Sequence, residues 1–377
     1  MSSPASSVEP LRLFLCGDVM TGRGIDQVLP HPVAPGLHES GVHSAVDYVR
    51  LAERANGPIP APVDPDYLWG DALEEWRRMA PDVRIINLES SITRSDAFVP
   101  KGINYRMSPE NAVCLMAAKI DCCVLANNHV LDWGCSGLVD TLRVLERHRI
   151  QVAGAGRDLA QASAPAILDI AGKGRVVVVS LACPSSGVPS DWAAAHDRPG
   201  VNILENLSET AAAHLAQKLQ SARRPGDIVV VSIHWGPNWG YAIPPHHRRF
   251  AHALVDVANV SVVHGHSSHH PMAIEIYKNR PIFYGCGDFL NDYEGIAGYG
   301  EFRGDLSVMY FVSISPATGE CVALDMVPLQ IKRFQLARPS SSDVAWVRAT
   351  IDRQCRQFGV RVLVDDSKLV VSWPRDQ

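Results

Sequence analysis

The chain is constrained most by a series of short apolar, largely β-branched runs, each closed by a cluster of polar residues. In order these are LRLFLCGDVM, DVRIINLES, IDCCVLANNH, RVVVVSLACPS, DIVVVSIHWG and VSVVHGHSSHH. Runs of this kind, bounded by turn-forming residues, read as strands covered on both faces. Between most of them lie segments of helical period, such as residues 69–79 and 137–148. The alternation of strand, loop and helix predicts an α/β sandwich. Open α/β sheets bind their ligands at loops leaving the carboxyl ends of strands, and the polar clusters fall there.

Those clusters carry a consistent set of donors. CGDVMTGR brings Asp18, and NLESS brings Asn87 and Glu89. NNHVLDWG brings Asn127, Asn128, His129 and Asp132, and IHWGPNW brings His234. GHSSHH then completes a stretch with four histidines, His264, His266, His269 and His270. Carboxylates, amide oxygens and imidazoles are hard and borderline ligands. They suit one or two divalent ions of manganese, zinc, iron or magnesium rather than calcium or copper(I). A pair of such ions can hold a substrate oxygen and activate a water. The small residues Gly265, Ser267 and Ser268 let the backbone bend so that His266 and His269 reach one ion.

Other classes are argued against. The formal net charge of −5 leaves no electrostatic footprint for nucleic acid, so a small-molecule or peptide substrate is expected as partner. The oligomeric state is not encoded in any pattern. MSSPASSVEP lacks a basic n-region and an apolar h-region, so no signal peptide or membrane anchor is expected, and the location reads as cytoplasmic. Nine scattered cysteines without a CxxC suit a reducing compartment and argue against a thiolate zinc site. No Walker loop or dinucleotide fingerprint occurs, and GAGRDL has the spacing of neither.

Organisation follows from the breaks in the pattern. Residues 1–10 are expected to be disordered, and residues 11–337 form the main domain. Within it, residues 28–67 are rich in proline, glycine and histidine around one short helical stretch. They read as a long lid-like insertion directly after the first strand, with surface padding as the alternative. Residues 305–329 read as a hairpin, and residues 338–377 as a helix and strand pair packed on the main domain.

The order GD, NLE, NNHVLDWG, HWG and GHSSHH, followed by IFYGCGDFLNDYEG, resembles the CapA capsule-synthesis family of poly-γ-glutamate biosynthesis proteins. That family is a branch of the calcineurin-like metallophosphoesterase superfamily, and the likeness runs from about residue 12 to about residue 337. It implies a four-layer sandwich of two mixed β-sheets flanked by helices. By this resemblance Asp18 is the first-strand metal aspartate, Glu89 the carboxylate that bridges two metals and Asn128 the amide ligand. His234 and His266 hold one metal, and His269 is the last histidine of the set. His129 protonates a leaving group or holds a transition-state oxygen, with Asp132 orienting it. Two departures stand out: Met20 occupies the place where the superfamily commonly has histidine, and Glu89 replaces an aspartate. One metal site is then weaker, differently filled or completed by another histidine.

Further residues admit two readings each. Arg23 is a candidate to grip a substrate anion, with a structural salt bridge as the alternative. His264 reads as a core or supporting histidine, and His270 is left open. His246 and His247 read as a solvated first helical turn, Trp235 and Trp239 as packing, and Asp288 as either a supporting residue or a turn residue. The function implied is a soluble metal-dependent hydrolase-like enzyme acting on a phosphoester or a peptide of poly-γ-glutamate type. The alternatives are metal-assisted peptide modification without hydrolysis, such as epimerisation at an α-carbon, and a non-catalytic factor in capsule polymer assembly.

Overall fold

The run LRLFLCGDV forms the strand Leu11–Val19 inside a ten-stranded mixed sheet. The computed structural model describes residues 9–296 and 298–375, so most of the segment expected to be disordered lies outside the described residues. On one side the first strand runs parallel to Val83–Leu88, which is followed by Cys122–Val124 and Gln151–Ala153. On the other side it is antiparallel to Leu306–Ile314, with Leu11 opposite Ile314. That strand forms the expected hairpin with Cys321–Lys332. Beyond it, Lys368–Ser372 and Arg361–Asp365 extend the same sheet, so the C-terminal strands are part of its edge.

A second mixed sheet has six strands. Its parallel centre is Arg280–Phe283, Val262–His266, Ile228–His234 and Gly174–Ala182. Antiparallel strands Ile274–Tyr277 and Ala166–Ile170 close its edges.

Strand alternation sorts the apolar side chains of the large sheet between two cores. Leu13, Leu15, Val83 and Ile85 share one core with Val177, Val179, Val229, Val231 and Val263 of the smaller sheet. Leu215 of the helix Glu209–Ala222, and Phe250 and Leu254 of the helix Pro245–Ala258, join that core. Phe14, Cys16, Ile86 and Leu88 point the other way, into a core with Trp76, Leu115, Leu138 and Leu142 from helices. Each fully buried side chain of this size contributes about 1.5–3 kcal/mol, so an uninterrupted apolar run is committed to the interior.

Residues 28–67 hold the twelve-residue helix Ala45–Asn56, begun by Ser44, whose side chain accepts from the Val46 N–H. The helix stops at Gly57, where φ is 89°. Among the described residues all nine cysteines are free and only Cys135 is exposed. No helix among them is long and apolar enough to cross a membrane.

Candidate metal centre

The site forms where strand ends from both sheets meet. Asp18 stands in register with Asn87 on one side and Asp288 on the other, and His234 stands in register with His266. Two groups of buried donors result, Asp18 with His234 and His266, and Asp18 with His269 and Asp288. Within each group the ligand atoms lie within 4.8 Å of one another, and Asp18 belongs to both. Two backbone features permit this crowding. A Cβ on Gly17 would lie 1.6 Å from the Gly287 carbonyl oxygen, so only glycine lets Asp18 approach that loop. Ser267 adopts φ 94°, rare for a side-chain-bearing residue, and thereby turns its N–H onto Asp18 Oδ2 at 3.2 Å.

The hydrogen-bond network assigns the tautomers of His264 and His266 and, with Asn128 oriented as it is, that of His234. His264 Nε2 lies 2.7 Å from the Cys16 carbonyl, which only accepts, so Nε2 carries the proton and Nδ1 is bare. Ser232 Oγ, 3.1 Å away, therefore donates to His264 Nδ1 and accepts from His266 Nε2 at 2.8 Å. His266 Nδ1 is then bare. His234 Nε2 faces Asn128 Oδ1 at 3.1 Å; with the amide in this orientation Nε2 carries the proton and His234 Nδ1 is bare as well. These two unprotonated nitrogens face each other at 2.7 Å, 3.8 Å from Asp18 Oδ1 in the case of His266. Burial holds both imidazoles well below the usual histidine range, so they stay neutral. Two opposed lone pairs repel unless a cation is close to both.

The carboxylates make the same demand. Asp18 Oδ1 accepts from Asn87 Nδ2 at 2.7 Å, and Asn87 is itself oriented by Asn127 at 3.0 Å. Burial, then the nearby Asp288, pushes the Asp18 carboxyl up. Burial and Asp18 push Glu89 up further, and Glu89 Oε2 is buried without a partner. Burial pulls His269 down, but Asp288 at 2.8 Å from its Nδ1 more than offsets this, and the net shift is upward. Bare imidazoles and crowded, partly orphaned carboxylates fit a divalent cation.

His129 stands beside this cluster. Its Nδ1 is 2.7 Å from Asp132 Oδ2, and its Nε2 is 3.8 Å from Glu89 Oε1, which is also 3.9 Å from His234 Nε2. Lys101 pairs with Asp132 Oδ1 at 2.8 Å and donates to the Asn128 carbonyl. Burial lowers His129 to about 4, so its resting imidazole is neutral.

A cavity of about 560 Å³ opens over His269. Tyr48 and Asn56 of the 28–67 segment line it together with Trp239, Tyr293 and Tyr299.

A sequence model described as "Bacterial capsule synthesis protein PGA_cap" matches residues 12–293. The chain belongs to this capsule-synthesis family. A "probable polyglutamine synthesis accessory protein" of Mycobacterium tuberculosis is 47% identical over 368 residues, 97% of each chain. The "PGA biosynthesis protein CapA" of Bacillus subtilis is 25% identical over 366 residues, 96% of this chain and 82% of the relative. The "capsule biosynthesis protein CapA" of Bacillus anthracis is 28% identical over 333 residues, 86% and 68% of the two chains.

Within this family member, several expectations change. Arg23 does not await a substrate anion. Its guanidinium is 3% exposed and bonded to Asp292 at 3.1 and 2.5 Å, Glu39 at 3.0 Å and the Tyr48 hydroxyl at 3.0 Å. The salt-bridge alternative describes it. His247 is not solvated but buried and stacked on Trp235 at 4.7 Å between ring centroids, whereas His246 is exposed. His270 Nε2 accepts from the Gly240 N–H at 3.1 Å, away from the ligand groups. Met20 offers no ligand in place of the missing histidine; its sulfur accepts from the Tyr293 hydroxyl at 3.4 Å. Asp288 enters a ligand group directly, while His266 and His269, expected on one ion, fall in separate groups, and Glu89, expected to bridge, falls in neither. Lys101 and Ser232 escaped notice because nothing in their local sequence marks contacts made across the fold.

Proposed function

We propose that this member of the capsule-synthesis family is a metal-dependent, hydrolase-like enzyme whose substrate is a phosphoester or a glutamyl peptide of poly-γ-glutamate type. The observation that carries the reading is the buried group of Asp18, His234 and His266, in which the two imidazole Nδ1 atoms face each other at 2.7 Å. Two mixed sheets with helices against their outer faces are compatible with the four-layer sandwich of calcineurin-like metallophosphoesterases, which supports the same reading. The relatives' names, one of polyglutamine synthesis and one of PGA biosynthesis, favour a polymer of glutamine or glutamate residues. Free, buried thiols are in keeping with a cytoplasmic location.

In this reading Asp18, His234 and His266 would hold one ion, with Asn128 and Glu89 beside them, and Asp18, His269 and Asp288 would hold a second. Such ions would supply Lewis acidity toward a water or a substrate oxygen. His129 moves the proton. Asp132 takes the Nδ1–H, so Nε2 is left free to accept a proton and return it to the leaving atom. Lys101 pairs with Asp132 and holds its carboxylate still. The 28–67 segment walls the cavity and selects the substrate.

Metal analysis of protein purified without chelators, followed by assays on phosphoesters and on α- and γ-linked glutamyl peptides, tests this. Bound divalent metal and turnover that His234→Ala abolishes are expected. Protein that holds no metal would sink the proposal. Metal without turnover on any of these substrates would favour a non-catalytic role, for which the word "accessory" in the mycobacterial relative's name speaks.

A further inference from the structure

Strands have two ends, and the ends opposite the metal cluster hold a second constellation. Asp227 immediately precedes Ile228–His234, and Ser261 immediately precedes Val262–His266. Between them lies a cavity of about 100 Å³ lined by Arg223, Asp227, Asn259, Ser261, Arg280 and Thr318 among others. A strand rises about 3.3 Å per residue, so this cavity is roughly 20 Å from His234.

The charges here do not balance locally. Asp227, whose carboxyl Arg223 helps to hold down from a distance, makes its hydrogen bonds elsewhere, with Arg175 at 3.0 and 2.5 Å and the Arg224 N–H at 2.7 Å. Arg280 is 9% exposed; its Nη2 donates to the Thr318 carbonyl at 2.7 Å and, at 3.4 Å, to Asn259 Oδ1, while its buried Nη1 has no partner. Arg223 donates to the Ala258 carbonyl at 3.1 Å. Among the described residues neither arginine pairs with a carboxylate, whereas Arg175 beside them does. Burial pushes Arg280 down, Glu320 opposes this, and Arg223 adds to it, so the two guanidiniums repel each other across the cavity.

A guanidinium keeps its proton in a protein, and buried donors are rarely left unused without a reason. An oxyanion between the two arginines would satisfy both. Gly319 keeps the space open, since a Cβ there would lie 2.6 Å from Arg280 Nη1 and 3.2 Å from Ser261 Oγ. The Ser261 oxygen accepts from the Val229 N–H at 3.3 Å, which leaves its own hydroxyl proton to donate. The volume leaves room for a carboxylate or phosphate group.

We propose that Arg223 and Arg280 form a second ligand site, separate from the metal cluster, which binds one oxyanion group, a phosphate or a carboxylate. Equilibrium dialysis of the whole chain against labelled inorganic phosphate and, separately, against labelled L-glutamate, at constant ionic strength in chloride, tests it. Arg223→Gln, at the more accessible of the two arginines, is expected to keep the wild-type melting temperature and metal content. It should lose one equivalent of bound anion, or bind that equivalent at least ten times more weakly. Arg280→Lys, which keeps the charge but loses the planar fork, should behave likewise. Phosphate taken up at the metal cluster is common to wild type and Arg223→Gln and cancels. Arg223-dependent uptake of phosphate alone assigns a phosphorylated ligand, of glutamate alone an acidic one, and of both the shared oxyanion chemistry. Equal uptake by wild type and Arg223→Gln, or no uptake of either anion, overturns the site.

Discussion

Ser232 accepts a hydrogen bond from His266 Nε2 at 2.8 Å, and this one contact decides which nitrogen of His266 faces the ligand cluster. Ser232→Ala removes the acceptor and lets the ring carry its proton on either nitrogen. Metal affinity measured by chelator competition should fall about 10- to 100-fold, the range for lost partners of ligating histidines. An unchanged affinity would mean that the Cys16–His264–Ser232 chain does not set the tautomer.

His129→Ala should keep the metal content and lose about 10²-fold or more in turnover on the natural substrate. Lys101→Met, which frees Asp132 Oδ1, should give a smaller loss in the same direction. If His129→Ala instead loses metal, the imidazole belongs among the ligands.

Asp292 binds Arg23 through both oxygens inside the protein. Asp292→Asn leaves that guanidinium short of countercharge, with only Glu39 remaining, and should destabilise the fold by about 3–5 kcal/mol in urea unfolding. Glu39→Gln should cost less, because the bidentate partner stays. Since Glu39 and Tyr48 belong to the 28–67 segment, deleting that segment would also expose Arg23. A loss of activity on deletion is therefore informative only when stability is measured beside it.

The carboxyl of Asp352 is held well below the ordinary range. Burial opposes this, and hydrogen bonds from Arg361, the Val362 N–H and Arg356 outweigh it. A carboxylate with a depressed folded pKa contributes stability that is fully present above its unfolded pKa, about 3.9, and is lost as pH falls through the folded value. Asp352→Asn should therefore be less stable than wild type by a constant margin above about pH 5, and the margin should shrink as the pH is lowered below about 4. A margin that does not change down to the acid limit would show that charge is not what Asp352 contributes.

The strands were legible because continuous β-branched runs such as IVVVSIH have no amphipathic face and fit only a doubly covered sheet. Asp18, His234, His266 and His269 were legible for a related reason, as polar residues that end such runs. Arg23 was left with two readings because its partners Glu39, Tyr48 and Asp292 lie outside its motif. Asp288 read as ambiguous because only its register with Asp18, through a strand of three residues, brings it to the cluster. His247 shows the limit of local reasoning at a helix start: Trp235, twelve positions earlier, supplies the surface that buries it.

The pairing of Leu11 with Ile314 has a consequence for biosynthesis. The first strand emerges early, but its antiparallel neighbour is translated some three hundred residues later. Until then one flank of Leu11–Val19 offers unpaired N–H and C=O groups to any passing strand, which is the usual route to aggregation during slow, non-local folding. Low yields of soluble protein are thus the expected symptom of any truncation that removes Leu306–Ile314, even though every ligand from Asp18 to Asp288 would still be encoded.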